Sequence, residues 1–137
     1  MHDTLALAGV LLAGLYFIGL AAAALAAPAR AARFLLGFAG SARAHYVELA
    51  LRLAVGCAFI ARAPRMPFES AFAAFGWVLL ATSAVLFAVP WQWHRRFAQK
   101  AVPQALRHLR LVGLASLALG GFVLACAGAG AGIAGAT

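Results

Sequence analysis

Four long stretches that are almost free of charge divide the chain. Three of them have no charged residue over 24, 24 and 27 positions, and the fourth, of 18 positions, has only Glu48 and Arg52. They cover residues 4–27, 70–93, 111–137 and 44–61, respectively. A helix crosses a bilayer with about 20 apolar residues, and backbone polar groups in lipid must be satisfied within the segment. The pattern therefore predicts an all-α polytopic membrane protein, a four-transmembrane-helix bundle.

The composition agrees with this class and excludes several others. The chain of 137 residues is 66% hydrophobic and 10% charged, with a formal net charge of +8. Soluble domains average roughly 45–50% apolar and about 25% charged residues. A nucleic-acid-binding domain of this basicity spreads Lys and Arg over a polar face, whereas here they stand in short clusters between apolar stretches. We therefore exclude a soluble enzyme, a secreted disulfide scaffold and a nucleic-acid partner.

The basic residues predict an orientation in the membrane. The first and third loops together carry eight of them, against two in the middle loop. The eight are Arg30, Arg33, Arg43, Arg95, Arg96, Lys100, Arg107 and Arg110. Because loops rich in Lys and Arg stay in the cytoplasm, we expect loops one and three there and both termini outside. The first stretch lacks the basic start and the short core of a signal peptide, so we expect it to remain as a helix.

The first and third loops also interleave aromatic and basic side chains. Both follow a proline, Pro28 or Pro90, and we expect each to form a short amphipathic helix along the cytoplasmic interface. Aromatic rings and arginines suit the level of the lipid headgroups. The residues expected to contact headgroups are Arg30, Arg33, Arg95, Arg96 and Lys100.

The two halves of the chain resemble each other at an offset of 62 to 64 residues. Each half begins with an apolar stretch that ends in proline, followed by an Arg-Phe pair and a further arginine. A second apolar stretch comes next and has a glycine at a similar depth, Gly56 in the first half and Gly120 in the second. We expect one domain built from two helical hairpins, residues 4–63 and 68–137. A parallel internal duplication and the general pattern of basic-inside hairpins both account for this similarity.

The second half carries a series of short motifs. An apolar helix with a Gly-containing element ends in Pro and Trp, and a basic stretch, Leu-Arg and a Gly-containing helix follow. The motifs occupy positions 75–80, 89–91, 95–97, 106–107, 111–114 and 120–121. Over about 60 residues, 72–130, this pattern resembles the YjeT-like family of small two-helix inner-membrane proteins. The resemblance implies a bacterial inner-membrane protein and brings no catalytic residue with it. The first half departs from the family pattern by lacking the tryptophan and by carrying polar residues in its second helix.

The second stretch contains a polar feature that topology does not explain. His45, Glu48 and Arg52 are spaced i, i+3 and i+7, so they share one helical face. An arginine at the centre of a membrane helix costs about 2.5 to 3.5 kcal/mol on insertion scales, and such residues usually face the bundle interior in pairs. The Glu48–Arg52 pair either fixes the helix register or belongs to an ion path or to a site for a headgroup or quinone.

The candidate cofactor-binding residues are His45, Glu48, Arg52 and His108. His45 and His108 are conceivable haem ligands from two helices, and His94 lies near the same level, but all three lie at the membrane edge. A di-iron bundle site uses four Glu and two His, and this chain has two Glu. We predict no metal, no cofactor and no catalytic residue, with haem or quinone as the open alternative.

Small residues are concentrated in the last stretch, where Gly128 and Gly132 form a GxxxG pattern. Such residues allow close approach of helix backbones, so we expect this helix to pack against protein. Cys57 and Cys126 stand alone rather than in a CxxC motif, and we expect both to behave as small hydrophobic residues.

These features predict a non-enzymatic accessory, scaffolding or assembly subunit of a larger membrane complex. The partners would be membrane lipids and another transmembrane protein or further copies of the chain. The alternative function is a small transporter or channel, or a quinone- or haem-associated protein, that uses the Glu48–Arg52 pair.

Overall fold

The computed structural model describes residues 2–38 and 40–134, with side chains for all of these except positions 38, 105, 106 and 131–134. The described residues are 93% helical and form no strand, which confirms the predicted all-α class. The α-helices are α1 His2–Ala26, α2 Pro28–Phe38, α3 Ala42–Arg62, α4 Glu69–Ala88, α5 Trp91–Arg107 and α6 Leu109–Ala134. A short 3-10 turn, Ala63–Arg65, follows α3. The predicted end of the last stretch, residues 135–137, lies outside the described residues.

Four of these helices are long and apolar enough to cross a membrane. They are α1, α3, α4 and α6, so the number and order of the predicted spans are confirmed. The two polar helices, α2 and α5, occupy the loops in which we predicted amphipathic helices.

The third span is shorter than predicted. The apolar stretch runs to residue 93, but α4 ends at Ala88, Val89 is extended, and α5 begins at Trp91. Pro90 accounts for the break, because proline has no N–H to continue the helix and it disfavours the helical conformation in the residue before it. Trp91 and Trp93, which lie inside the predicted stretch, therefore belong to α5.

Close helix crossings at glycines hold the four spans together. α1 packs against α6 and α3, and α3 packs against α4. A Cβ atom on Gly120 would lie 2.9 Å from the Gly14 carbonyl oxygen, and one on Gly76 would lie 2.7 Å from the Gly56 carbonyl oxygen. Since only glycine fits such an approach, these two pairs mark where α1 crosses α6 and where α3 crosses α4.

The two crossings are related by the sequence repeat. Gly14 and Gly76 are 62 residues apart, and Gly56 and Gly120 are 64 apart. When α1 is matched to α4 and α3 to α6, the contact between Gly14 and Gly120 corresponds to the contact between Gly76 and Gly56. This correspondence favours an internal duplication over the general pattern of basic-inside hairpins.

The two ends of the bundle differ in chemistry. At one end α2 packs against α5, which brings the basic loops one and three together. At the other end the 3-10 turn contacts both α4 and α6. Between the ends lies an apolar core that includes Val10, Phe59, Phe72 and Val123.

Candidate functional site

Six polar side chains from three helices meet near the α2/α5 end of the bundle. We name them the polar cluster: His45, Glu48 and Arg52 of α3, Thr82 and Ser83 of α4, and His94 of α5. His45 is only 1% exposed. His45, Glu48 and Arg52 share one face of α3, as their spacing predicts. This face is turned towards α4 and α5, so the three side chains contact protein.

The two histidines form the most closely packed part of the polar cluster. His45 Nδ1 lies 2.7 Å from His94 Nδ1, and the rings meet edge to face with centroids 4.8 Å apart. Such a hydrogen bond needs one protonated and one unprotonated Nδ1. The other ring nitrogen of His94, Nε2, lies 3.8 Å from Glu48 Oε2, so His94 stands between its histidine partner and a carboxylate.

Arg52 connects the carboxylate to α4. Its Nε donates to Ser83 Oγ over 3.2 Å and its Nη2 donates to Thr82 Oγ1 over 2.7 Å. Both hydroxyls donate their own protons to carbonyls one turn back on α4, so their lone pairs remain to accept from the arginine. Arg52 Nη1 lies 3.7 Å from Glu48 Oε1. The predicted i,i+4 pair is therefore one link in a chain of polar contacts across three helices.

Three of the four candidate cofactor-binding residues are brought together, and the fourth is not. His45, Glu48 and Arg52 share the polar cluster, whereas His108 is exposed at the junction of α5 and α6. It lines an open notch of about 470 Å³ with Arg107, Arg110 and residues of α1. The structure pairs His45 with His94 and not with His108.

His94 belongs to the polar cluster, although it was not among the candidate cofactor-binding residues predicted from the sequence. Its place follows from the break at Pro90, which starts a new helix three residues before it. Trp91, His94 and Ala98 then fall on one face of α5 at spacings of three and four residues, and Ala98 is buried. This spacing in the sequence would have predicted that His94 faces the bundle.

A second ionic cluster lies at the opposite end of the bundle. Arg62 Nη1 donates to both carboxylate oxygens of Asp3 over 2.7 Å, and Arg65 Nη1 donates to Oδ1 over 2.6 Å. The Arg62 side chain is 1% exposed, and its Nε is buried without a hydrogen-bond partner. From the sequence, Arg62 and Arg65 were the two basic residues of the middle loop, and their contact with Asp3 was not predicted.

An apolar layer separates the two polar groups. Arg52 and Arg62 are ten residues apart on α3, about 15 Å at 1.5 Å per residue. Phe59 lies between them, is fully buried and stacks on Phe72. The polar cluster therefore opens towards one end of the bundle and meets packed side chains on the other.

The basic residues predicted to contact lipid headgroups lie on the two polar helices. Arg30 and Arg33 are on α2, and Arg95, Arg96 and Lys100 are on α5; all five are exposed. Because α2 and α5 pack together, their positive charge is concentrated at the end that holds the histidine pair. Contact with headgroups stays a prediction.

The two cysteines are free, with Cys57 exposed and Cys126 buried. Their helices, α3 and α6, are not among the principal packing pairs of the bundle.

Comparison with protein families, with curated proteins and with solved structures finds no match to this chain. The resemblance to the YjeT-like family stays a prediction. The functional interpretation consequently depends on the geometry of the bundle itself.

Proposed function

We propose that this protein is a non-enzymatic accessory subunit that docks onto another membrane protein through α6. The observation that carries the proposal is an exposed face of small residues on that helix, Gly121, Ala125 and Gly128, which we name the outer α6 face. All three are exposed, and a Cβ atom added to either glycine would meet no atom within 4 Å.

The outer α6 face is separate from the side of the helix that packs inside the bundle. The inward side includes Gly120, Val123 and Ala127. At 100° per residue, the centre of the outer face is about 130° around the helix from the centre of that side. Small residues on a membrane helix allow the backbone of a second helix to approach closely, and helix–helix interfaces in membranes are enriched in them.

The geometry supports this role over a small transporter. A transport path needs polar groups or space along its length. Here buried Phe59 and Val10 separate the polar cluster from the ionic contacts of Asp3 at the other end of the bundle. The polar cluster therefore has the geometry of a one-sided binding site. Such a site suits an accessory subunit that holds a ligand or a partner residue at one membrane surface.

The charge distribution supports an orientation with the α2/α5 end in the cytoplasm, and the resemblance to the YjeT-like family implies the bacterial inner membrane as the location. The positive-inside rule places clustered Lys and Arg on that side, and the packing of α2 on α5 puts both basic loops at one end. The termini then lie on the periplasmic side.

Matched variants of α6 and α4 test the docking role. Ala125→Leu fills the outer α6 face, whereas Ala81→Leu makes the same change at an exposed position of α4 between exposed Trp77 and Val85. We expect Ala125→Leu to reduce the fraction of chains extracted with a partner at least about fivefold, which corresponds to about 1 kcal/mol of overpacking. Native mass spectrometry of polymer-extracted particles measures that fraction. Equal effects of the two substitutions would contradict the proposal.

A further inference from the structure

We propose that His45, Glu48 and His94 bind one divalent first-row transition-metal ion, with Zn²⁺ as the reference ion. Each of the three offers a ligand atom, and these atoms lie within 4.8 Å of one another. The proposal concerns the polar cluster and is independent of docking through α6.

The two histidine Nδ1 atoms need only a small adjustment to share a metal, whereas Glu48, whose Oε2 lies 3.8 Å from the other nitrogen of His94, must move towards them to complete the site. Zn–N bonds of about 2.0–2.1 Å in tetrahedral geometry place two ligand nitrogens about 3.3 Å apart. The two Nδ1 atoms are now 2.7 Å apart, so the rings would separate by about 0.6 Å on metal binding. His45 and His94 lie on different helices, and a small shift of α5 against α3 supplies this movement.

The donor set selects the class of ion. Two imidazoles and one carboxylate suit zinc, iron, nickel or copper, whereas Mg²⁺ and Ca²⁺ require a shell of oxygen atoms. The carboxylate of Glu48 also offsets part of the ion's charge in a partly buried site. Three protein ligands leave a coordination position open, which a water molecule or a group from a partner would fill.

Arg52 acts as a positioning residue for the carboxylate. It contacts Oε1 of Glu48, whereas Oε2 is the oxygen nearer His94. Ser83 and Thr82 hold the guanidinium on the α4 side, so its charge stays on the far side of the carboxylate from the histidines. Such outer-shell contacts fix ligand orientation in metal sites.

The four histidines of the chain provide a built-in control. His45 and His94 belong to the proposed site, whereas His2 and His108 are exposed and lie outside it. The protein is purified in detergent with an affinity tag that contains no histidine, stripped with a chelator and dialysed against Zn²⁺. Metal bound per chain is then measured by atomic emission.

We expect one Zn²⁺ per wild-type chain and the same value for the His2→Ala/His108→Ala double variant. His94→Ala and Glu48→Gln should each weaken binding at least tenfold, since even outer-shell changes cost about 10- to 100-fold in affinity. Arg52→Leu should weaken it by an amount in that outer-shell range. An excess of Mg²⁺ should not compete.

Thermal unfolding with and without Zn²⁺ separates loss of binding from loss of fold. Zn²⁺ should raise the Tm of the wild type and leave the Tm of His94→Gln unchanged, because only a bound ligand stabilises the folded state. Two results would overturn the proposal. One is wild-type binding that His94→Ala does not weaken, and the other is binding that disappears with His2 and His108. In either case the contact between His45 and His94 would have only a structural role, which is to hold α5 against α3.

Discussion

Arg62 is almost completely buried, and its charge is balanced by Asp3 in the first turn of α1. Its guanidinium donates two hydrogen bonds to Asp3, which is itself 40% exposed. A buried charge needs a paired and hydrogen-bonded partner. Asp3 therefore does more for the fold than a terminal acidic residue is expected to do, because it joins the start of α1 to the end of α3.

Removing the carboxylate of Asp3 should destabilise the protein. In Asp3→Asn the buried Arg62 guanidinium keeps its charge but loses its counterion, and an NH2 group replaces one of the two oxygens that accept from it. Leaving a buried donor without one of its acceptors costs about 1–3 kcal/mol. Arg65→Gln is the control, because Arg65 is 52% exposed and an exposed ion pair contributes no more than about 1 kcal/mol. Unfolding in mixed detergent micelles measures both, and equal losses in the two variants would argue against this role of Asp3.

At the scale of the elements, the α3–α4 crossing is the contact most sensitive to side-chain size. A methyl group at Gly76 would lie 2.7 Å from a backbone oxygen of Gly56 and 2.7 Å from the Ile60 side chain, so the helices must move apart to admit it. This crossing also holds the hydroxyl groups of α4 against Arg52.

Gly76→Ala should lower the free energy of unfolding by about 1–3 kcal/mol, the usual cost of overpacking. Gly121→Ala makes the same change where the added methyl group meets nothing within 4 Å, and it should leave stability unchanged or slightly increased. The same micelle unfolding assay compares the two glycines. A Gly76→Ala protein as stable as Gly121→Ala would show that the helices do not cross there.

The spans could be predicted from the sequence because length and lack of charge are local properties. The end of α4 could not be placed from hydrophobicity alone, since the apolar stretch continues through Pro90 to Trp93 and only the proline ends the helix. Where local backbone chemistry and hydropathy disagreed, the backbone chemistry decided the boundary.

The polar cluster could be predicted only in part. Glu48 and Arg52 are four residues apart, so helical geometry alone pairs them. The His45–His94 contact joins positions 49 residues apart, and it depends on how α5 folds back against α3. His45 and His108 were conceivable haem ligands from the sequence, but His108 is exposed at the junction of α5 and α6 and does not reach the polar cluster. The histidine pair is therefore a property of the tertiary fold.

At the scale of the whole molecule, the bundle has one strongly basic end. That end carries α2 and α5 with their exposed arginines and Lys100, and the histidine pair lies beside it. Because a positive end is retained in the cytoplasm, the proposed metal site would face the cytoplasmic surface.

Lys100 is the one lysine of the sequence and reports this orientation. It is exposed on α5, so a membrane-impermeant amine reagent should modify it in inside-out vesicles and leave it unmodified in intact cells. Peptide mass spectrometry locates the label, and the Lys100→Arg variant serves as the control that has no lysine to modify. Modification of Lys100 from the outside would reverse the proposed topology.

The mass of the wild-type particle, extracted with its surrounding lipid and without detergent exchange, tests the accessory role most directly. We expect native mass spectrometry to find this chain in a stoichiometric complex with a second, different membrane protein. A particle built only from copies of this chain would assign the outer α6 face to self-association. A particle with the mass of one chain would mean that this face contacts lipid, and either result would contradict the accessory role.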